Sequence, residues 1–585
     1  MNPAVKLLEI VMVTMAGVWQ GVRQDFNLIE LSILGVALYA WKKKGWRPRG
    51  TPAVRAFSRP ELVAAAVIAA ALALRLVLIP VFPVPVPVVS DEFSHLLLAD
   101  TLAHGRVTNP THPFWPHFES LHIIQQPHYV SNYFPGHALF LAAGKAALAS
   151  SWAGVLAEYA LFLAAIYWAL RGWMPSRWAL VGMVLAAVRF GIASYWINAY
   201  HGGFLPALGG ALIFGAFPRL RTSSAPHGVS RQTLGCGLAF GAGLAILAST
   251  RPFEGLLYAV PFVAVLAWEQ RKRLRPLAVG SAAACAVVSP VVLGLGIYFW
   301  HITGSPFVTT YQISQKTYGW PMGLAWTPPP KIEHRNVELR NYYEYEIGEH
   351  EKVDGPADFL EFLTFRLQEY WRFFFGPLLT IPLLMLGRVW KRRPMLIIAT
   401  CGAIVAILLE GAASPHYLAP ATAALMALVI EGCRYFDGLR IRLAPLLVAA
   451  MALIILVRAG LEHAGLPYTQ KLNFQSWCCR VEGNRNKARV SAELERLPGH
   501  HLVFVKAKTD PNNLFQWIYN DADIDGARIV WARDLGEERN AELEKYFAGR
   551  SVWLVDPNEE PATRIPYPAA APLSSRTSDS RTLVP

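Results

Sequence analysis

Between Ala153 and Trp173 the chain reads AGVLAEYALFLAAIYWALRGW, which is apolar on nearly every face of a helix. A helix that packs on a soluble core carries one apolar face, whereas a helix surrounded by lipid is apolar nearly all round. Of the 585 residues, 54% are hydrophobic and 16% are charged, against roughly 25% charged in an average soluble protein. The sequence therefore predicts an all-α polytopic membrane protein.

The net charge of +13 is compatible with a nucleic-acid partner. The positions of the basic residues decide whether the charge indicates a nucleic acid or a membrane. Lys and Arg cluster in short stretches between the apolar blocks, at 42–59, 171–177, 219–231, 271–275, 388–393 and 434–442. Basic residues in short loops mark the cytoplasmic side of a membrane protein. We therefore expect a multi-pass protein of a bacterial inner membrane, with the lipid bilayer and no nucleic acid as a partner.

The apolar blocks between these basic loops predict about 11 transmembrane helices. The candidate spans are 61–83, 152–173, 177–195, 203–217, 235–252, 254–268, 277–300, 371–387, 394–412, 414–432 and 443–460. A further apolar block at 136–150 is interpreted as a helix on the outer surface, because a crossing there would place Arg171 and Arg177 outside. The segments 7–19 and 28–41 stay open between a hairpin and interfacial helices, which leaves 12 or 13 crossings as alternatives.

This pattern divides the chain into four parts. An N-terminal hydrophobic or interfacial segment with a basic cytoplasmic linker covers 1–59, and the transmembrane domain covers 60–460 with outer loops at 84–151 and 301–369. The segment 461–568 contains the strand-like runs HLVFVKA, ARIVWAR and SVWLVDP and the charged helix GEERNAELEKYFAG, which predict a small extramembrane α/β domain. The tail 569–585 is rich in Ser and Arg and is predicted to be disordered.

The chemistry is concentrated in PVPVPVVSDEFSHLLLADTLAHGR, from Pro83 to Arg106. Alternating prolines stiffen the chain directly after the first span. Ser90 is a good N-cap and Gly105 a good stop, so one helix is expected between them. Asp91 and Glu92 would then lie in its first turn at the lipid–water boundary, where acids also serve simply to complement the helix dipole.

The outer loop continues with VTNPTHPFWPHFESLHIIQQPHYVSNYFPGH, which contains many aromatic, amide and histidine side chains. Aromatic rings stack on sugar faces and amides bond to hydroxyl groups, so this composition favours a sugar site over a plain linker. The histidines also leave a divalent metal ion open as a cofactor. Their spacing matches no standard pair of metal ligands, so the metal stays unknown.

The acidic pair, the surface helices after it and the seven spans before a second long outer loop resemble the GT-C superfamily of membrane glycosyltransferases. This class includes the protein mannosyltransferases and the aminoarabinose transferase. The resemblance implies a polyprenyl-phosphate sugar donor and transfer, with inversion, to a glycan, lipid or protein acceptor on the periplasmic side. It also implies that Asp91, the first acid of the pair, is the catalytic base and that Glu92 matches the second acid.

The leaving phosphate of such a donor needs cations at the same depth as the base. Arg251 lies at a predicted outer end of a span, and its guanidinium suits phosphate geometry. His201 and His416 lie beside tyrosines in tight turns at other outer ends, and Arg106 ends the motif. With Glu92 these four are the candidate substrate-binding residues, although each basic side chain is also of a kind that anchors a helix end at the interface.

Two other classes of function stay open. A lipid or polysaccharide transporter would carry acids at mid-membrane rather than at the outer rim. The charged residues inside apolar blocks, Arg75, Lys145, Glu158 and Arg189, are too scattered to form a relay, and no internal repeat is evident. A noncatalytic membrane scaffold would use its outer loops only to bind partners.

Overall fold

A computed structural model describes residues 59–222, 231–272, 274–319, 327–328, 330–351, 355–408, 414–464, 477–478, 484–508 and 516–567, together with Ser32, Gly35, Val36 and Tyr39. The proposed N-terminal crossings at 7–19 and 28–41 and the tail after Tyr567 lie almost entirely outside these residues. The interpretations placed on them therefore stay predictions.

The described residues are mostly helical. The helices are α1 (Pro60–Val77), α2 (Ser90–Ala103), α3 (Trp115–Phe118), α4 (Pro135–Leu148), α5 (Ser151–Arg171), α6 (Ser176–Gly191), α7 (Phe204–Thr222), α8 (Arg231–Thr250), α9 (Pro252–Gln270), α10 (Leu274–Thr303), α11 (Thr310–Tyr318), α12 (Val337–Glu351), α13 (Pro356–Phe374), α14 (Gly376–Leu383), α15 (Leu386–Arg392), α16 (Pro394–Leu408), α17 (Thr422–Gly438), α18 (Leu443–His463), α19 (Arg485–Glu495) and α20 (Glu537–Tyr546). A 3₁₀ helix, Pro415–Ala421, precedes α17.

Seven helices among the described residues are long and apolar enough to cross a membrane. They are Pro60–Val77, Ser151–Arg171, Arg231–Thr250, Pro252–Gln270, Leu274–Thr303, Pro415–Gly438 and Leu443–Leu461. This supports the multi-pass membrane class. The remaining candidate spans coincide with shorter or less apolar helices, so the total of about 11 crossings stays a prediction.

The predicted span 371–387 is wrong as a single helix. The chain there forms the end of α13, then α14 and then α15. Gly376 has a φ of +55°, in the left-handed region that favours glycine, and it separates the first two helices. Pro377 follows it and Pro382 lies near the end of α14, where each lacks the N–H that a helix would use. Hydropathy detects the apolar composition of this segment but not its breaks.

Close packing of the membrane helices depends on glycines at the points where backbones meet. A Cβ on Gly154 of α5 would lie 2.2 Å from the carbonyl oxygen of Phe140 in α4. A Cβ on Gly210 of α7 would lie 1.9 Å from the carbonyl oxygen of Pro420. Small residues at such contacts allow apolar helices to approach closely, which is how membrane helices gain van der Waals contact.

The outer loop after α1 folds into a small unit on α2. Strands β1 (Asn109–Pro110), β2 (Ile123–Ile124) and β3 (His128–Ser131) form an antiparallel sheet in the order β1-β3-β2. The helix expected from 136–150 is present as α4, and Lys145 on it bonds Asp100 of α2 across 2.5 Å. Helix α2 starts one residue earlier than expected, since Val89 rather than Ser90 is its N-cap.

The C-terminal strands and helices form an α/β unit, as the sequence pattern indicates. Strands β4 (His501–Val505), β5 (Ile529–Arg533), β6 (Ser551–Val555) and β7 (Arg564–Pro566) lie in the order β5-β4-β6-β7. The first three are parallel and β7 is antiparallel to β6. The unit packs on the outer loop, where the Ala522 amide donates to Asp100 and the Tyr519 hydroxyl donates to the Leu121 carbonyl.

Candidate active site

Asp91 lies at the N-terminal end of α2 with its side chain 25% exposed. The Tyr133 hydroxyl donates to its Oδ1 atom across 2.5 Å. His122 Nδ1 lies 3.6 Å from Oδ2, which is longer than a hydrogen bond. One carboxylate is therefore oriented by a phenol, flanked by an imidazole and still reachable from outside the protein.

The backbone that carries Asp91 is held from both sides. Upstream, the buried Arg75 guanidinium donates to the Phe82 and Pro83 carbonyls and to Asn198 Oδ1. Downstream, Glu92 accepts hydrogen bonds from the amides of Val88, Val89 and Tyr200. A charge-assisted bond of this kind is stronger than a neutral one, so these contacts fix the start of α2.

The His122 backbone adopts a left-handed conformation, with a φ of +58°. Such a conformation is uncommon for a residue other than glycine and costs free energy. Two donors hold it in place, because the Ser94 hydroxyl and the Asn132 amide both bond to the His122 carbonyl, at 2.6 and 3.2 Å. This strained geometry directs the buried imidazole toward Asp91.

A row of buried rings continues from Tyr133 into the membrane domain. The His95 ring stacks on Tyr133 with centroids 4.4 Å apart, and His137 meets His95 edge-on at 5.0 Å. His137 Nε2 donates to the Tyr200 carbonyl, and its Nδ1 lies 2.7 Å from Glu158 Oε1. Because a carbonyl only accepts, the second ring nitrogen and Glu158 share one proton between them.

The basic candidates from three separate turns meet near Asp91. The rings of His201 and His416 stack with centroids 5.2 Å apart. The Arg251 guanidinium lies over the Tyr417 ring at 4.5 Å, and Nη1 is 3.4 Å from Glu254 Oε1. All three basic side chains are buried, which is unusual for plain interfacial anchors.

The charges around Asp91 favour its ionised form. Burial acts to raise the pKa of this carboxyl, but the fields of His122 and His201 and the hydrogen bond from Tyr133 together hold the pKa below its ordinary value. Burial raises the pKa of the neighbouring Glu92 to about 7, against its three backbone hydrogen bonds. Burial also lowers the pKa of His201 to about 4.

A cavity of about 1160 Å³ lies beside this cluster, between α9, α10 and α11. Its polar end contains Tyr133, Arg251 and Tyr417, and its other walls are mainly apolar. Several of the apolar lining side chains are also largely exposed, namely Leu256, Leu293, Ile297, Trp300 and Phe307. The cavity therefore has an exposed apolar rim, and Tyr133 links its polar end to Asp91.

The candidates named from sequence fall into three groups. Asp91, His201, Arg251 and His416 come together. Glu92 is adjacent, but both its oxygens face backbone amides, so its binding of substrate stays a prediction. Arg106 follows the far end of α2, roughly 20 Å along the helix from Asp91 at 1.5 Å per residue.

Sequence reasoning missed His95, His122 and Tyr133 as individual site residues, although it noted that their loop is rich in histidine and tyrosine. His95 lies on α2, whereas His122 and Tyr133 flank β2 and β3 and take their positions from the pairing of these short strands, which leave no clear period in a sequence. For a metal ion, the described part of the chain contains no group of three His, Cys, Asp or Glu side chains placed to hold one.

Comparison with known proteins gives structural similarity only. No protein-family pattern and no curated protein sequence matches the chain. ArnT from Cupriavidus metallidurans, an aminoarabinose transferase, is similar with a TM-score of 0.46 and 13% identity over 84% of this chain and 93% of that protein. An oligosaccharyltransferase from Archaeoglobus fulgidus, in complex with zinc and sulfate, has a TM-score of 0.47 and 15% identity over 84% of this chain and 67% of its own. The oligosaccharyltransferase AglB from Archaeoglobus fulgidus, in complex with an inhibitory peptide and a dolichol-phosphate, has a TM-score of 0.44 and 13% identity, over 86% of this chain and 70% of its own.

Proposed function

We propose that the protein is a membrane glycosyltransferase that moves a sugar from a polyprenyl-phosphate carrier to an acceptor on the periplasmic face of a bacterial inner membrane. One observation carries the proposal. A mainly apolar cavity with an exposed rim ends at a buried arginine and at a tyrosine that is hydrogen-bonded to a partly exposed carboxylate. This arrangement fits a ligand with a long hydrocarbon chain and an anionic head.

The donor would bind with its isoprenoid chain in the cavity and its phosphate at Arg251. Leu256, Val292 and Trp300 offer the chain an apolar surface that is continuous with the lipid-facing sides of α9 and α10. The Arg251 guanidinium is held over Tyr417 and near Glu254, which limits its rotation. A fixed guanidinium presents paired N–H donors that match phosphate oxygens.

The transfer would proceed by direct displacement. Asp91 takes the proton from the acceptor hydroxyl, whose oxygen forms a bond to the anomeric carbon of the sugar. The bond from that carbon to the phosphate oxygen breaks, and its electron pair leaves with the phosphate. Phosphate is already a good leaving group, so a second carboxylic acid, as used by glycosidases, is unnecessary. A single displacement inverts the anomeric centre.

Replacement of Asp91 by Asn tests this role, because it removes the base while keeping the size of the side chain. We expect glycan transfer to fall by at least about 100-fold, with normal membrane insertion. The measurement is mass spectrometry of envelope glycans from a deletion strain that expresses each variant. Glu542→Gln, an exposed acid of α20, is the matched control and should restore the glycan fully.

Three outcomes would contradict the proposal. Full transfer by the Asp91→Asn protein would remove the assigned base. A deletion strain that no longer moves a lipid-linked sugar across the membrane, but still transfers the sugar, would indicate a transporter instead. Normal glycans in the deletion strain expressing no protein would leave only a scaffold role for the outer loops.

A further inference from the structure

The geometry around His122 suggests a use that the transfer step by itself does not require. The imidazole is 1% exposed, and it lies on the outer-loop side of Asp91. Its Nδ1 atom is 3.6 Å from the carboxylate oxygen Oδ2, whereas Tyr133 occupies the other oxygen, Oδ1. Oδ1 thus accepts from the Tyr133 hydroxyl, whereas Oδ2 faces the ring nitrogen and also accepts a longer bond, of 3.4 Å, from the Ser90 hydroxyl.

The position of the His122 ring requires a strained backbone, which costs free energy. The φ of +58° at His122 is strained for a side-chain-bearing residue, and strain of this kind persists where the surroundings impose it, often at functional sites. Ser94 on α2 supplies one of the bonds that impose it, and Ser131 on β3 bonds the same Ser94 hydroxyl. The strained backbone of His122 is therefore hydrogen-bonded to α2, the helix that carries Asp91.

We propose that His122 is the proton-accepting partner of Asp91, taking at its ring nitrogen the proton that Asp91 removes from the acceptor hydroxyl. The inference rests on the proposed function of Asp91. Bond by bond, the acceptor O–H breaks, the proton passes to the carboxylate and then to Nδ1, and the imidazolium holds it until the product leaves. When the product has left, the imidazolium returns the proton to Asp91, and the partly exposed carboxyl passes it to water.

Two physical reasons favour this sequence of steps. A carboxylate held in its ionised form is a weak base, so a proton taken by Asp91 alone returns readily to the acceptor. An imidazole has a higher ordinary proton affinity than a carboxylate, and it becomes a cation beside an anion. The separation of 3.6 Å is compatible with this role, because catalytic hydrogen bonds are often long before substrate binds.

The proposal predicts a pH dependence. The titratable groups that face His122 are Asp91 on α2, Tyr133 after β3, Tyr342 and Tyr343 on α12, and His201 before α7. Burial lowers the pKa of His122, and the charge of Asp91 opposes that shift. His122 must be neutral to accept a proton, so turnover falls as the pH drops through the ionisation of the Asp91–His122 pair.

His122→Asn and His122→Gly test the proposal, because both residues tolerate a positive φ and keep the loop while removing the ring. We expect kcat at neutral pH to fall about 100-fold in both, with KM for the donor little changed. The acid limb of the kcat profile should move to lower pH, toward the range of the carboxyl alone. His128→Asn on β3, in the same loop, is the matched control and should leave the profile unchanged.

The results separate this inference from the function on which it rests. If Asp91→Asn abolishes transfer while His122→Asn and His122→Gly keep the wild-type kcat and profile, then Asp91 is the base and the role of His122 is overturned. If kcat falls but the acid limb does not move, His122 serves only to shape the loop, and the proposal is again overturned. If Asp91→Asn transfers sugar normally, the proposed function itself fails.

Discussion

At the scale of single residues, the bond from Tyr133 is one of the contacts, with the fields of His122 and His201, that lower the pKa of Asp91. Tyr133→Phe removes a donor to the ionised form, so the pKa of Asp91 should rise. Because Asp91 must be ionised to act, the acid limb of kcat should move to higher pH, and kcat should fall about tenfold near that limb. This shift is opposite in sign to the one expected for the His122 variants.

Tyr546→Phe is a suitable control for this prediction. It also removes a hydroxyl that bonds an aspartate, since the Tyr546 hydroxyl lies 3.1 Å from Asp525 Oδ2 in the C-terminal unit. It should leave the pH profile unchanged. An unmoved acid limb in Tyr133→Phe would show that the short bond does not set the ionisation of Asp91.

Much of the residue-level site could be inferred from the sequence, but not all of it. Asp91, Arg251, His201 and His416 each mark the outer end of a predicted helix, and outer ends at one depth tend to meet. Which of the two adjacent acids faces the site is set by the rotation of α2, and one of the contacts that fix this rotation joins Glu92 to the Tyr200 amide, more than 100 residues away. No local pattern contains this information.

At the scale of elements, the contact between α4 and α5 positions the row of rings behind Tyr133. Gly154→Ala would push a methyl group into the Phe140 carbonyl, at 2.2 Å, and α4 carries His137. Overpacking of this kind should destabilise the protein by roughly 1–3 kcal/mol. Thermal unfolding in detergent should show a lower midpoint for this variant.

The control for this change is Gly294→Ala on α10, where an added Cβ would meet no atom within 4 Å. Alanine is a better helix former than glycine, so this variant should be neutral or slightly more stable. Equal midpoints for Gly154→Ala and Gly294→Ala would contradict the close approach of α4 and α5.

The positions of most membrane helices follow from composition, because a lipid-facing helix must be apolar over its length. The segment 371–387 shows the limit of that signal. Its composition satisfies a span, yet Gly376 and Pro382 divide it, and the chain continues as shorter helices. Where a helix breaks depends on whether its neighbours bond the freed backbone groups, which composition does not record.

At the scale of the whole molecule, a buried ion pair connects the C-terminal unit to the second outer loop. Arg533 of β5 bonds Glu338 of α12, and the two side chains are 5% and 9% exposed. Glu338→Ala would leave the guanidinium buried without this partner, which should cost about 3–5 kcal/mol. We expect faster limited proteolysis of the C-terminal unit and a lower unfolding midpoint.

Asp556→Asn is the matched control, because it breaks the more exposed pair with Lys506 at 3.2 Å in the same unit. Exposed ion pairs contribute only about 0–1 kcal/mol to the free energy of unfolding, so the rate of proteolysis should be unchanged. If Glu338→Ala behaves like this control, the buried pair does not hold the unit to the loop.

The sequence pattern predicts the strands and helix of the C-terminal unit because each has a clear local period. It does not predict where the unit binds. Its contacts with α2 and the first outer loop, such as Ala522 with Asp100 and Tyr519 with Leu121, join residues about 400 positions apart. Such contacts form only when distant parts of the chain fold together, so no local sequence pattern predicts them.

A structure of the protein in lipid with a bound polyprenyl phosphate would test the proposed donor site. We expect the hydrocarbon chain in the cavity between α9 and α10, with phosphate oxygens about 2.7–3.2 Å from the Arg251 guanidinium and facing Asp91. A lipid phosphate bound elsewhere, with this cavity empty or Asp91 turned away from the phosphate, would contradict it.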